Sequence, residues 1–230
     1  MTQGASSSRE DYLKALYVLS TATEGPVSTN ALAEHLSMRP ASASGMMKQL
    51  AEAGWVEHEA YRGASLTPSG ERIALDVIRR HRLWEFFLVE RLGFAWDQVH
   101  DLAERLEHIE DAELINRLDD YLGCPEFDPH GDPIPRADGT VVDARPLLTA
   151  SEMKPGGRAV IKGVVDSSDV FLRHLDALGI RLGLAFEVVE RHAFDGSASV
   201  AGHGIWTLGV LENLLVVIES ESHGSPVELV

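Results

Sequence analysis

Four side chains that can bind a metal ion recur between His100 and His108, in the segment HDLAERLEH. They are His100, Glu104, Glu107 and His108, at offsets 0, 4, 7 and 8. An α-helix turns about 100° per residue, so these side chains fall within a stripe about 100° wide. Imidazole nitrogens and carboxylate oxygens are common ligands of divalent cations. The spacing therefore predicts a metal-binding face on one helix.

A second pair upstream repeats this arrangement. His81 and Glu85, in HRLWE, are four residues apart and share a helical face. Two such helices side by side can close a site around one or two divalent cations. The alternative is that both segments are solvated faces of acidic helices, which is the simpler interpretation for HRLWE alone.

Length and composition are those of a globular chain. The 230 residues, 44% of them apolar, suffice for one large domain or two small ones. No run of 18 apolar residues and no apolar leader segment occur, so we expect neither a membrane span nor a secretory signal. The single cysteine, Cys124, excludes an internal disulfide. Together these features predict a cytoplasmic protein.

The charge is distributed unevenly along the chain. The net charge is −16, which by itself disfavours nucleic acid as a partner. Residues 1–75 carry 6 Lys/Arg against 8 Asp/Glu, whereas residues 76–140 carry 7 against 16. The acidic excess therefore coincides with the candidate metal ligands, and a basic face in the first 75 residues is still allowed.

The first 75 residues carry the pattern of a winged helix-turn-helix. Helices are predicted from a cap at Ser8 to about Leu19, over Thr29–Leu36 after a cap at Ser28, and over Ala41–Glu52. Strands are predicted over Trp55–Glu59 and Ala64–Thr67, around a tip at 60–63. Thr67 and Pro68 then begin a long helix. A helical bundle with an added hairpin is the alternative.

The third of these helices has the small and polar surface of a helix that enters the major groove. Candidate DNA contacts are Arg39, Ser42, Ser44 and Lys48 on this segment. Arg62 and Tyr61 at the hairpin tip are suited to phosphate or minor-groove contact. Serine reads bases weakly, so DNA shape is expected to contribute to recognition.

Residues 71–123 are predicted to be helical, with a long helix ending at Gly93 and further helices over Trp96–His108 and Asp111–Leu122. Their apolar side chains exceed what a small winged domain can bury, which predicts a homodimer through these helices. The Gly- and Pro-rich segment 123–139 is predicted to be a structured turn region.

From Ser151 the pattern changes to short strands separated by glycines, with one short helix over Asp169–Leu178. Strands are predicted over 158–165, 186–191, 199–201, 205–208 and 214–218, which is typical of a small SH3-like barrel. His192 and His203 are interpreted as surface loop residues. The predicted organisation is a DNA-binding domain over 1–75, a helical domain over 76–140, a linker over 141–150 and a barrel over 151–230.

The chain resembles the diphtheria-toxin-repressor family of metal-dependent transcriptional repressors, which has iron- and manganese-responsive branches. The resemblance covers almost the whole chain and rests on REDYLKALYVL, the YRG-containing wing, RRHRLWEFFL, VHDLAERLEH, DPHGDPIP and LGIRLG. It implies a mainly α fold with a small β part: an N-terminal winged helix-turn-helix, a helical dimerisation domain and a C-terminal SH3-like (FeoA-like) β-barrel.

The resemblance also implies two metal sites. The primary site comprises Asp11, Glu104, Glu107 and His108, and the second comprises His81, Glu85 and His100. Iron-type members have methionine at the position of Asp11 and cysteine at that of Glu104, so the carboxylates here resemble the manganese branch. A hard oxygen and imidazole set suits Mn²⁺ or Fe²⁺.

Two features depart from the family pattern. Lys14 stands where the manganese branch has glutamate, so a second ion cannot be held as in that branch. Iron-type relatives complete the second site from the barrel, where Asp166 or Asp169 is the candidate here.

The sequence therefore predicts a repressor that, loaded with two Mn²⁺ or Fe²⁺ ions per subunit, binds operator double-stranded DNA as a homodimer. Manganese is favoured, metal-uptake genes are the expected targets, and no membrane partner is expected. A binuclear metallohydrolase and a metal-independent winged-helix repressor are the alternatives. Against a hydrolase, neither a nucleophile nor a pocket-forming loop accompanies the ligands in the sequence.

Overall fold

The computed structural model describes residues 3–22, 25–59, 62–142 and 147–218. It is mainly α with a small β part and divides into two compact units. The first comprises residues 1–93, 99–128 and 133–142, and the second comprises 94–98, 129–132 and 143–230. Among the described helices, none has the length and apolar character needed to cross a membrane.

The first unit begins with the predicted winged helix-turn-helix. Its elements are α1 (Gln3–Ala22), α2 (Thr29–His35), α3 (Pro40–Glu52), β1 (Val56–Glu59), β2 (Gly63–Leu66) and α4 (Pro68–Leu92). The Ser28 hydroxyl accepts a hydrogen bond from Ala31 N–H and caps α2. Thr67 caps α4 in the same way through Gly70 N–H. The predicted tip residue Tyr61 lies outside the described residues.

The core of this part is formed by apolar side chains from α1, α2, α3 and the two strands. Leu13, Leu16, Leu32, Met47 and Leu50 are fully buried in it. Gly70 allows the start of α4 to approach the hairpin, because an added Cβ would lie 2.0 Å from the carbonyl oxygen of Trp55. The start of α4 therefore packs directly against the backbone of the residue that precedes β1.

The rest of the first unit is helical and irregular. The elements α5 (His100–Leu106) and α6 (Ala112–Leu122) follow α4, and α6 is capped by Asp111. Leu83 on α4 packs with Ile115, Leu118 and Leu122 on α6. Arg79 donates to Asn116 Oδ1 and Asp119 Oδ2, which joins the same helices by polar contacts.

The second unit is built on an antiparallel SH3-like sheet. Its strands are β3 (Leu148–Thr149), β4 (Arg158–Val164), β5 (Ala185–Arg191), β6 (Ala198–Val200), β7 (Gly204–Trp206) and β8 (Leu214–Ile218), in the order β3-β8-β4-β5-β6-β7. Two helices accompany them, α7 (Asp169–Ala177) and α8 (Leu208–Glu212). Trp206, Ile161 and Leu175 are fully buried in the core of this unit.

Two short segments from earlier in the chain pack within the second unit. The 3₁₀ turn Trp96–Gln98 contacts α7: Trp96 Nε1 donates to Asp176 Oδ2 at 3.1 Å, and Arg173 lies 3.3 Å from Asp97 Oδ2. The backbone of Gly131 approaches β4 so closely that an added Cβ would lie 2.2 Å from Lys162 O.

Two predicted helix boundaries before residue 110 are wrong. The first helix begins at Gln3, so Ser8 lies inside it and does not cap it. The predicted helix Trp96–His108 is divided into the 3₁₀ turn and α5, which ends at Leu106. Ile109 N–H bonds to Leu106 O, and this tighter turn closes α5.

Two details of the second unit also differ from the prediction. The strand Leu148–Thr149 lies in the stretch predicted as a linker, because it pairs with β8. The strand predicted over 205–208 ends at Trp206, because the Thr207 hydroxyl caps α8 by accepting from Val210 N–H. His192 and His203 are partly buried, and the ring of His192 bonds to Ser199 Oγ at 2.9 Å.

Candidate metal centre and DNA-binding surface

Three helical regions of the first unit bring the predicted metal ligands together. Asp11 lies on α1, His81 and Glu85 lie on α4, and His100 and Glu104 lie on α5. Glu107 is the C-cap residue that follows α5, and His108 comes next. The candidate ligands thus connect the first helix of the DNA-binding part to the two helices that follow the wing.

The structure groups these side chains into two clusters, each with ligand atoms within 4.8 Å of one another. The first cluster comprises Asp11, Glu107 and His108, and the second comprises His81, Glu85 and His100. Each combines carboxylate oxygens with imidazole nitrogen, a donor set that fits Mn²⁺ or Fe²⁺. The chemistry of both clusters therefore fits the divalent cations expected from the sequence.

Glu104 is placed differently from the prediction. Its carboxylate lies 3.5 Å from His100 Nε2, and it is not among the three residues that cluster around Asp11. Just over half of its side chain is exposed, so it retains freedom to move. A cavity of about 630 Å³ lies beside Asp11, Glu104, Glu107 and His108, which gives Glu104 room to approach them.

Hydrogen bonds from residues outside the first cluster fix the orientation of His108 and of the Glu107 backbone. The Nδ1 atom of His108 bonds to Glu10 Oε2 at 2.7 Å, while its Nε2 atom lies 3.2 Å from Asp11 Oδ1. The other oxygen of Glu10 accepts from Arg80 at 2.7 Å, and both of these side chains are buried. Arg80 also donates to the backbone carbonyl of Glu107 at 2.5 Å. A carboxylate behind an imidazole of this kind fixes the ring orientation at metal sites.

The sequence interpretation did not identify Glu10 and Arg80 as site residues. Their signal was their position beside candidate ligands, since Glu10 precedes Asp11 and Arg80 precedes His81. Glu10 and Arg80 are 70 positions apart, so no helical or strand periodicity predicts that they form an ion pair.

The second cluster is a chain of ion pairs. His81 Nε2 lies 3.0 Å from Glu85 Oε1, and His100 Nδ1 lies 3.3 Å from the same oxygen. His81 Nδ1 lies 2.5 Å from Glu107 Oε2, which links the second cluster to the first. Glu85 and Glu107 are both almost completely buried, so their charges require these partners.

The electrostatics of the second cluster favour protonated histidines. Hydrogen bonds to Glu104 and Glu85 raise the pKa of His100 to about 10. The same contact with His100 lowers the pKa of Glu104 to about 2. Burial opposes charge on His81, but the charge of Glu85 and the hydrogen bond to Glu107 outweigh it and raise the pKa of His81. A divalent cation that binds here therefore competes with protons for the imidazoles.

Burial and neighbouring charges together shift the pKa values of the two carboxylates of the first cluster in opposite directions. Burial raises the pKa of Asp11 above its ordinary value, against the opposing charge of His108. Burial also disfavours charge on Glu107, but the hydrogen bond from His81 and the charge of Lys14 lower its pKa.

Four of the five residues predicted to contact DNA lie on α3 or directly before it, and the fifth, Arg62, lies on the hairpin. Arg39 is the residue that precedes α3, and it is exposed together with Ser42 and Lys48. Ser44 is partly buried, and Arg62 is exposed next to the start of β2. On the opposite side of α3, Ala43, Met47 and Leu50 are buried in the core. The amphipathic pattern therefore presents the polar side to solvent.

The barrel residues predicted to complete the second site are described with their own unit. Asp166 accepts a hydrogen bond from Ser168 N–H at 2.8 Å, and Asp169 begins α7 with Arg173 at 3.8 Å. Both aspartates are exposed.

A winged helix-turn-helix whose first helix shares a cluster of potential metal ligands with the following helices is the arrangement expected of a metal-responsive DNA-binding regulator. Three family models match the chain. They are the iron dependent repressor N-terminal DNA binding domain over residues 5–64, the iron dependent repressor metal binding and dimerisation domain over 67–136, and the FeoA domain over 148–206. The chain belongs to the iron-dependent repressor family.

Individual relatives agree with these models. The chain is 31% identical over 205 residues to the diphtheria toxin repressor of Corynebacterium diphtheriae, covering 85% of this chain and 88% of that one. It is 33% identical over 122 residues to the transcriptional regulator MntR of Lysinibacillus sphaericus, covering 53% and 86%.

A solved structure described as a manganese-dependent transcriptional repressor in complex with manganese has a TM-score of 0.80 and 37% identity, covering 92% of this chain and all of that one. The relatives and this structure support a metal-dependent transcriptional repressor over both alternatives, the hydrolase and the metal-independent repressor.

Proposed function

We propose that this protein represses metal-uptake genes in the cytoplasm by binding operator DNA as a homodimer when loaded with Mn²⁺ or Fe²⁺. The observation that carries the proposal is the first cluster, in which Asp11 of α1 meets Glu107 and His108 at the end of α5. Because α1 contributes Leu13 and Leu16 to the helix-turn-helix core, a change at this cluster acts directly on the DNA-binding part.

The proposed primary ligands are Asp11, Glu104, Glu107 and His108, and the proposed second set is His81, Glu85 and His100. Glu104 joins the primary set by leaving its contact with His100. When bound, a divalent ion supplies positive charge at a group of acidic side chains. Manganese is the favoured metal, because oxygen and imidazole donors are hard and neither set contains sulfur. We propose two ions per subunit, one for each cluster.

The charge of the bound ion affects DNA binding through the residues at the junction of α1 and α5. Without a cation, the carboxylates of Asp11, Glu104 and Glu107 repel one another across the junction of α1 and α5. Hydrogen bonds between Glu10 on α1 and both Arg80 and His108 join α1 to α4 and to the end of α5, so a change of charge at this cluster acts on the position of α1. Metal then shifts the population towards one orientation of the reading helices, which fits the spacing of an operator.

DNA contacts are proposed for the exposed face of α3 and for the wing. Arg39 and Lys48 supply positive charge for phosphates, Ser42 and Ser44 face the groove, and Arg62 contacts the backbone from the wing. The acidic excess elsewhere in the chain repels DNA, so operator affinity depends strongly on salt and on bound metal.

A homodimer is supported by apolar side chains exposed on the helices after the wing. Leu92 on α4 is 56% exposed, and Leu114 and Tyr121 on α6 are 41% and 65% exposed. Exposed large apolar side chains of this kind are a feature of interaction surfaces. A two-fold dimer also presents two reading helices to a palindromic operator.

The direct test measures operator affinity with and without Mn²⁺ or Fe²⁺, for the wild type and for Glu107→Ala and His108→Ala. We expect metal to strengthen operator binding of the wild type, a chelator to reverse this, and both variants to lose the response. Glu113→Ala is the control, because Glu113 is exposed on α6 and pairs with Arg117 alone among the described residues. Equal affinity of the wild type with and without metal would refute the proposal.

A further inference from the structure

Lys14 places a fixed positive charge at the boundary between the two clusters. Its Nζ atom donates to Glu107 Oε2 at 2.7 Å and lies 3.2 Å from His81 Nδ1. The side chain is 17% exposed, so the ammonium group is largely withdrawn from water. It reaches this position from α1, across 93 residues of sequence to Glu107. The contact therefore belongs to the tertiary structure and is not a local surface pair.

The position of Lys14 restricts what Glu107 can do. A carboxylate that bridges two metal ions gives one oxygen to each ion. Glu107 Oε2 is instead shared by the Lys14 ammonium and the His81 ring, at 2.7 and 2.5 Å. That leaves the other oxygen of Glu107 for an ion of the first cluster. Glu107 is then a ligand of one ion and not a bridge between two.

The charges lead to the same conclusion. The primary set contains three carboxylates, those of Asp11, Glu104 and Glu107. The Lys14 ammonium reduces their formal charge from −3 to −2, which one divalent cation neutralises. A second divalent ion between Glu107 and His81 would have to lie against the ammonium, where like charges repel. Lys14 thus occupies the place that a second cation of a bridged pair would need.

We propose that Lys14 is an internal cation that keeps the two metal clusters separate, so that each binds its own ion and no metal pair bridged by Glu107 forms. The inference rests on the proposed function, since it concerns the ions that the two clusters bind. It makes Lys14 the residue that determines the metal arrangement of this chain. Replacing Lys14 with glutamate adds a carboxylate between Glu107 and His81 and permits the bridged pair.

The test is the electron paramagnetic resonance spectrum of the Mn²⁺-loaded full-length protein, with bound metal quantified by elemental analysis after equilibrium dialysis. Isolated Mn²⁺ ions give a six-line signal, whereas a bridged pair is magnetically coupled and loses most of that signal. We expect the wild type to show the six-line signal in proportion to the bound manganese. We expect Lys14→Glu to lose most of this intensity per bound ion.

Lys154→Glu is the matched control, because it makes the same charge change at an exposed position in the second unit. Its spectrum should equal that of the wild type. A coupled spectrum of the wild type would overturn the inference without any variant, and an uncoupled spectrum of folded, loaded Lys14→Glu would also overturn it. Failure of the proposed function is distinguishable, because the wild type would then bind operator equally with and without Mn²⁺, whatever its spectrum.

Discussion

Glu10 is predicted to control metal affinity although it is not a proposed ligand. Its two carboxylate oxygens accept from Arg80 and from His108 Nδ1, each at 2.7 Å. A glutamine at this position has one accepting oxygen, so it can serve Arg80 or His108 but not both. The imidazole of His108 then loses the contact that fixes its orientation.

The expected magnitude follows from this geometry. A hydrogen bond to a charged group contributes about 1.5–3 kcal/mol. Loss of a carboxylate behind a metal-binding histidine lowers metal affinity by about 10–100-fold. At about 1.4 kcal/mol per factor of ten, the two ranges agree. We therefore expect Glu10→Gln to weaken Mn²⁺ binding by about 10–100-fold.

The free energy of unfolding distinguishes Glu10→Gln from Glu10→Ala. Glu10→Ala removes the nearer carboxylate from the buried guanidinium of Arg80 and leaves it with the exposed Asp76 at 3.5 Å, which costs up to about 3–5 kcal/mol of unfolding free energy. Glu10→Gln retains an oxygen for Arg80 and should cost less. Urea unfolding in the presence of a chelator measures this difference in the absence of metal.

The assay for affinity is calorimetric titration with Mn²⁺, with Glu113→Gln as the control. Glu113 is 75% exposed and pairs with Arg117 on the same helix, so its substitution should leave metal affinity unchanged. Restored affinity in Glu10→Asp would show that the carboxylate itself is required. If Glu10→Gln bound Mn²⁺ as tightly as the wild type, the assignment of Glu10 as a positioning residue would be refuted.

Four further outcomes are expected. Lys48→Ala should weaken operator binding about equally for different sequences and reduce the slope of log affinity against log salt by about 1, measured by fluorescence anisotropy, whereas a changed sequence preference would contradict a phosphate contact. Gly70→Ala should destabilise the protein by about 1–3 kcal/mol in urea unfolding, because its Cβ would meet Trp55 O at 2.0 Å. Gly45→Ala should do the opposite by about 0.5–1 kcal/mol, since open space surrounds that Cβ within α3. Mn²⁺ at 100 times its dissociation constant should stabilise the protein by about 2.7 kcal/mol for each bound ion, and excess chelator should remove this gain.

Local patterns predicted the buried faces well. Leu13 and Leu16 on α1, and Met47 and Leu50 on α3, are buried where their spacing placed them. The start of α1 was missed because the apolar pattern that marks it begins at Tyr12. The turns before that residue are helical without contributing to the pattern, so the apolar pattern alone places the helix start too late, at Ser8.

The sequence predicts which residues belong to each candidate metal cluster better than it predicts the hydrogen bonds between those residues and the rest of the chain. The i,i+4 spacing of His81 and Glu85 places both in one cluster with His100. The pairing of His108 with Glu10, and that of Lys14 with Glu107, join positions more than 90 residues apart. Such contacts depend on how α1 packs against the later helices, and a repeat along one helix cannot specify that packing.

In the second unit, the misplaced boundaries have a tertiary and a local cause. Leu148 and Thr149 become a strand because β8, more than 60 residues later, supplies their hydrogen-bond partners. The start of α8 has a local cause. Thr207 is a good helix-capping residue, and its hydroxyl accepts from the N–H of Val210 three residues later.

The discontinuous make-up of the second unit limits how the chain can be truncated. Residues 94–98 and 129–132 precede the SH3-like sheet in sequence but belong to its unit. A fragment ending at residue 142 would keep Trp96 and Asp97 while removing Asp176 and Arg173, which hold them. The severed turn leads directly into His100, the first residue of α5. A single cut therefore does not divide this protein into two complete units. A shortened version needs new side chains in residues 94–98 and 129–132, whose packing partners it would lack.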